Sequence, residues 1–327
     1  MFYALAIALC LAVLFIVLAA ASILCLPAVK LFRQRAGAIA PAHSANLLFA
    51  IRMLPLALAS LVTVGFVLPA FVEFEPASTG EGMSLRLAAL ATAGALVLIV
   101  MLVRGLRILR ATRLAQDQWL ANSEPLHLPG MTFPIYRVAG CASLLAVTGF
   151  LRPRVFIAKE ILETLSAEEL SAALAHEMAH VKSFDNLRRL LLGITRLPEQ
   201  ITMVRAVDTA WTQASEVAAD QAALTAGASA LDLSSALVKV GRLSRPPLPM
   251  GPLAASHLLP CGSSLEARVM HLQELLEEGG GNLARPAQRG PLSARLLLFA
   301  TLAVLGYAIA VPVVLPAIHD ILEFLVR

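Results

Sequence analysis

Apolar residues gather in four long, nearly unbroken stretches, Phe2–Val29, Met53–Val72, Leu87–Val103 and Leu296–Ile318. A helix of about 20 mainly apolar residues can cross a bilayer, because its backbone donors and acceptors satisfy one another without water. The pattern therefore predicts four transmembrane helices, the third being the shortest. Only Met-Phe-Tyr precedes the first apolar run, which is long for a leader and lacks a charged start. Neither Cys10 nor Cys25 follows a small residue, as a lipoprotein cleavage site would require. The first stretch is thus expected to be a retained helix.

Between the third and fourth stretches the pattern changes. Residues 141–158 hold two short β-prone runs separated by Gly149 to Pro153, which predicts a hairpin. Ser166, three residues before Glu169, predicts a capping box opening a helix from Ala167 to about Lys182. One face of that helix offers Leu170, Ala173, Leu174 and Met178 for packing. Residues 214–226 are alanine-rich and predict a second helix, with Gly227 as its C-cap. Residues 278–291, rich in Gly, Pro and Arg, predict an exposed linker that is also a candidate for self-cleavage. The expected division is 1–104 for three membrane helices, 105–290 for a cytoplasmic domain with its linker, and 291–327 for a fourth helix and short tail.

Composition sharpens this picture. The chain is 58% hydrophobic and only 15% charged, with a mean hydropathy of +0.77. Soluble domains are nearer half apolar and a quarter charged. The sequence describes a mainly α, polytopic membrane protein with the lipid bilayer as its first partner.

The net charge of +4 does not mark a nucleic-acid binder. The arginines sit beside the apolar stretches rather than among aromatics, which makes them topology determinants. Lys30, Arg33, Arg35 and Arg52 lie between the first two stretches, Glu73, Glu75 and Glu81 between the second and third, and Arg104, Arg107, Arg110 and Arg113 follow the third. Positive-inside bias then puts the N-terminus outside and the large central segment in the cytoplasm. The arginine run has a three-residue period on a helix continuing from the third span, where it could also meet anionic headgroups. Cys10, Cys25, Cys141 and Cys261 form no CxxC pair, so neither a disulfide framework nor a thiolate zinc site is supported.

Residues 176–180 read His-Glu-Met-Ala-His. On a helix, His176 and His180 project from one face, one turn apart, and two neutral imidazoles can bind one Zn²⁺. Glu177 beside them can act as a base on water at that metal. A tetrahedral catalytic site needs a third protein ligand. Glu216 and Asp220, at i and i+4 on the downstream helix, could supply it: Glu216 as ligand, Asp220 holding the ring N–H of a ligating histidine. Small residues at 218, 219, 222 and 223 would let the two helices approach.

Taken together, Phe150 to Ile157, Leu165 to Leu170, His176-Glu177-x-x-His180-x-x-x-x-Asp185 and Glu216-x-x-Ala219-Asp220 resemble the zinc peptidase module of the BlaR/MecR-type membrane metallopeptidases. That resemblance implies a gluzincin-type HExxH…ExxxD site in a zincin-like domain with a small hairpin or sheet, set in a bacterial cytoplasmic membrane. It implies zinc as cofactor, a protein or peptide as substrate, and a regulatory partner protein such as a transcriptional repressor. Only Asp320 to Arg327 follow the last stretch, so the penicillin-binding sensor of the antibiotic-responsive members is expected to be lacking. HtpX-type quality-control proteases share the metal motif but insert spans between its halves. Here Leu187–Val207 carries Arg188, Arg189, Arg196, Glu199 and Arg205, too polar for a span.

Asp185 is expected to hold the end of the motif helix rather than bind metal. His257 and Arg268 are weak candidates to stabilise the oxyanion, from a faint likeness of their surroundings to a His…Arg element of the HtpX-like relatives. The strand 143–148 fits equally an edge that pairs with extended substrate and one arm of a plain core hairpin. An alternative with the same chemistry is HtpX-like quality control of membrane proteins, which the motifs do not separate from a regulatory peptidase; a rival from another class is a signalling or scaffold protein with an inert metal site, but a structural site has no need of the base Glu177.

Overall fold

The computed structural model describes residues 2–35, 40–74, 84–128, 133–140, 144–149, 152–196, 202–243, 255–257, 264–277, 306–307 and 309–321. The chain divides into two compact units: residues 1–36, 50–102 and 286–327, and residues 37–49 and 103–285.

In the first unit, helix α1 (Phe2–Arg35) packs with α2 (Pro41–Val62), α3 (Leu68–Phe74) and the start of α4 (Leu85–Ala121). Helices α2 and α3 are joined through a π-helical turn, Thr63–Val67. Leu5, Leu9, Ala12, Val67, Phe71 and Leu87 form the core of this unit. At Gly94 a Cβ would lie 2.2 Å from the Leu11 carbonyl oxygen, so α1 and α4 touch backbone to backbone, a contact that small residues permit in membrane helices. Tyr307 donates a 2.6 Å hydrogen bond to the Gly65 carbonyl inside the π turn. Leu24, Leu58, Leu61, Val64, Leu96 and Leu102 stay exposed, as they would on lipid-facing surfaces.

Among the described residues, three helices are long and apolar enough to cross a membrane: Phe2–Cys25, Pro41–Phe74 and Leu85–Ala121. The second begins twelve residues before the apolar stretch at Met53, because Pro41 suits a first helical position and nothing breaks the helix after it. The first part of the expected fourth span falls outside the described residues. A shorter apolar helix, Ile309–Ile321, occupies its later part. The expected linker 278–291 also lies outside them.

The second unit is built on a mixed sheet of strands β1 (Ser123–Leu126), β2 (Ile135–Val138), β3 (Leu145–Thr148), β4 (Arg154–Ala158) and β5 (Ala255–His257), in the order β1-β2-β4-β3-β5. Strands β3 and β4 form the expected antiparallel hairpin. Its turn needs Gly149, whose φ is +86° and whose Cβ would meet the Arg152 carbonyl oxygen at 2.7 Å. Strand β2 adds parallel to β4, which makes β4 central and explains its run of buried Val155, Phe156, Ile157 and Ala158. Of the two readings of 143–148, the open edge does not hold, because β5 pairs antiparallel with β3 through Ala146, Val147 and Thr148. A strand with all its side chains buried is better stabilised when both its backbone edges are paired.

Short helix α5 (Lys159–Thr164) leads into α6 (Ala167–Lys182), followed by α7 (Asp185–Ile194), α8 (Thr202–Thr225), α9 (Ala230–Leu243) and α10 (Ser264–Glu277). Helix α6 starts in the expected capping box, and Ser235 and Lys239 of α9 also bind Glu169. Ala172, Ala173, Ala223, Leu233 and Leu237 join the sheet residues in one core, into which the end of α4 inserts Trp119, 5.3 Å from the Phe156 ring. Of the four small residues on α8, Ala219 and Ala223 are buried while Ala222 is exposed, so only one stripe serves the helix contact.

Candidate metal centre

Helix α6 carries His176, Glu177 and His180, and α8 carries Glu216; all four are buried. The two imidazoles meet edge to face, with Nε2 of His176 3.2 Å from Nε2 of His180. Glu216 lies 3.5 Å from His176 Nε2 through one oxygen and 3.6 Å from His180 Nε2 through the other.

The outer sides of both rings are engaged by carboxylates. Asp220 Oδ1 is 2.8 Å from His176 Nδ1, and Asp185 Oδ2 is 2.7 Å from His180 Nδ1. A neutral ring that donates from Nδ1 presents a bare lone pair at Nε2. Both Nε2 lone pairs then point into one small space with a carboxylate beside them.

This arrangement fits a metal ion on two counts. Ligand atoms about 2.0–2.1 Å from a tetrahedral metal lie about 3.3–3.4 Å from each other, close to the spacings here, and His176, His180 and Glu216 form a cluster able to hold a metal. The buried charges lean the same way. Glu216 meets Arg189 and Arg268, Asp220 meets Arg268 and Asp185 meets Arg188, and with Glu177 also buried the four carboxylates outnumber the three guanidinium groups, an excess of negative charge that a cation offsets. Protonation of His180 does part of the same task. Burial opposes that charge, but Glu216 and the Asp185 hydrogen bond outweigh it and push the ring up to about 9. Burial likewise opposes the charge on Glu216, yet His180, His176 and Arg268 hold it well below the usual carboxylate range.

Each expected site residue can now be placed. Asp220 is where a ring-holding residue should be, and it is itself gripped by Arg268, whose Nε and one terminal nitrogen reach its two oxygens at 2.9 and 2.6 Å. Burial opposes its ionisation, but Arg268 and His176 keep it below its ordinary value. Asp185 does more than finish the motif helix: it starts α7, accepts from His180 and receives a 3.1 Å hydrogen bond from Ser215. Arg268 does not sit as an oxyanion donor should. It is almost wholly buried, and its other terminal nitrogen points at Glu216, 3.2 Å away. Its charge is spent on Glu216 of the cluster and on Asp220 behind His176. His257 lies on β5 opposite Ala146.

Three contributors were not singled out from sequence. Arg189 donates to Glu216 at 3.0 Å. Asn186 ties α7 to the hairpin through the Val147 and Gly149 carbonyls. Ser215 supports Asp185. The available signal was polar residues on the Asp185 side of a helix whose other face is apolar: Arg189 is one turn after Asp185. The reversal from α6 to α7 is made by Phe184, which takes the left-handed conformation (φ 56°) without being glycine.

A polytopic helical protein with a soluble-type α/β unit around a buried His-His-Glu cluster has the layout of a membrane peptidase. The profile of the BlaR1 peptidase M56 family matches residues 76–272, more than half of the chain, and the chain belongs to that family. No curated protein matches it significantly. The matched segment contains every site residue named above, from His176 through Arg268.

Proposed function

We propose that this protein is a zinc-dependent endopeptidase of the bacterial cytoplasmic membrane, acting on a cytoplasmic or membrane protein. What carries the reading is the convergence of two imidazole nitrogens and one carboxylate at tetrahedral spacing, with both far ring nitrogens held by aspartates. His176, His180 and Glu216 would hold the ion, with Asp220 and Asp185 fixing the two rings. When bound, zinc would supply Lewis acidity toward the scissile carbonyl and acidify water.

Glu177 stands in the ligand helix between the two histidines, where its carboxylate can take the proton of the attacking water and return it to the leaving amine. Its burial keeps bulk water from competing for that proton. The positive-inside pattern supports a cytoplasmic face for residues 105–290, with residues 1–104 and 291–327 as membrane segments. A regulatory target such as a repressor, or the protein's own linker, suits the family resemblance.

The test is purified wild type against Glu177→Ala, assayed for bound zinc and for cleavage of casein and of itself. Equal zinc with cleavage only by wild type supports the proposal. Zinc-free wild type after a zinc-replete preparation refutes it.

A further inference from the structure

Peptide hydrolysis moves the carbonyl π pair onto oxygen as water's oxygen bonds to carbon; the pair returns as the C–N bond breaks and the amine takes the proton held by Glu177. A donor must meet that transient negative oxygen. Arg268 is fully engaged by Asp220 and Glu216 and is 2% exposed. Arg189 is placed differently. One of its terminal nitrogens reaches Glu216 Oε1 at 3.0 Å, so its charge sits directly against the carboxylate of the His-His-Glu cluster. Its side chain keeps 18% exposure, against 2% for Arg268. Its Nε is buried with no hydrogen-bond acceptor, and its guanidinium lies 5.5 Å from the centre of the Trp211 ring, which limits its swing.

A guanidinium that is charged, held by an aromatic face, next to a metal ligand and still short of an acceptor is a preorganised anion site. We infer that Arg189 is the catalytic residue that stabilises the oxyanion, an assignment that rests on the peptidase reading. The competing role is purely structural, in which Arg189 only neutralises Glu216.

The test compares wild type, Arg189→Lys and Arg189→Met in the full-length, zinc-loaded protein. Zinc content is measured first, then kcat and KM on casein. Calorimetry then follows the tightest wild-type binder from a phosphinic peptide library, which carries an oxyanion in place of the scissile carbonyl. Loss of one oxyanion donor lowers kcat by about 10²–10³-fold. Arg189→Met should show that loss and a comparable loss of phosphinic-peptide affinity, with zinc content and KM within about threefold of wild type and partial recovery in Arg189→Lys. Unchanged kcat and unchanged phosphinic-peptide affinity would overturn the assignment. So would loss of zinc in Arg189→Met, which is the mark of the structural role. A wild type that binds zinc but is inert toward both casein and the phosphinic library would instead sink the peptidase reading, and the assignment with it.

Discussion

Asp185 Oδ2 lies 2.7 Å from Nδ1 of His180, on the side of the ring turned away from His176 and Glu216. This bond sets which nitrogen carries the proton and so leaves Nε2 free to ligate. Asparagine at 185 can present its amide N–H₂ to Nδ1 and draw the proton to Nε2, where it blocks a metal. Asp185→Asn should therefore weaken zinc binding by about 10–100-fold, read by competition with a chromophoric chelator. Ser215→Ala, which removes only a hydrogen bond to the same carboxylate, should have a smaller effect in that assay. Equal affinities in wild type and Asp185→Asn would remove Asp185 from the site.

The Arg268–Asp220 pair makes a different prediction, about folding. Both side chains are about 2% exposed or less, so removing one partner strands a buried charge. Arg268→Met should cost about 3–5 kcal/mol of stability, seen as a large fall in the thermal midpoint of the detergent-solubilised protein. The double variant Arg268→Met, Asp220→Asn should regain part of that loss, since no isolated carboxylate remains. A double variant no more stable than Arg268→Met would show that packing, not charge, holds this corner.

The hairpin turn tests how the site is braced. Gly149 needs a positive φ, and a side chain there would collide with the Arg152 carbonyl. The Gly149 carbonyl also accepts from Asn186, next to Asp185. Gly149→Ala should lower stability by more than about 1 kcal/mol and also reduce zinc affinity, because moving the turn moves the start of α7. A stability loss with wild-type zinc affinity would separate the turn from the metal centre.

The parts of this protein legible in the sequence are those set by local chemistry. The HExxH spacing needs only a helix, and the Ser166–Glu169 box announces that helix where the structure has it. Spans are legible because a bilayer demands length and apolarity within one segment. What escaped depends on contacts between distant segments. Strands β1 and β2 have four residues each, too few for a period, and β5 is visible as a strand only once β3 lies beside it. Arg268 looked like a free donor because its two carboxylate partners are 48 and 52 positions away along the chain. Arg189 looked like evidence against a span, since its meaning rests on Glu216 coming from another helix.

The protonation of the histidine cluster predicts how metal and pH interact. In the metal-free protein, His180 is raised to about 9, above its ordinary 6.5. A group raised on folding contributes stability that is complete below the unfolded value and lost as pH rises through the folded one. Zinc-stripped protein should therefore lose stability between about pH 6.5 and 9. Glu216 and Asp220 act in the opposite sense: lowered on folding, they contribute above the ordinary carboxylate range and lose that contribution only as acid reaches their depressed values. Zinc must displace the proton on His180, so apparent zinc affinity should climb across the same interval from 6.5 to about 9. The measurement is the thermal midpoint of stripped and zinc-loaded protein at matched pH. The gap between the two should widen steadily from pH 6.5 to 9. A gap that stays constant would mean that no proton leaves the cluster when the metal enters, and that His180 is not among its ligands.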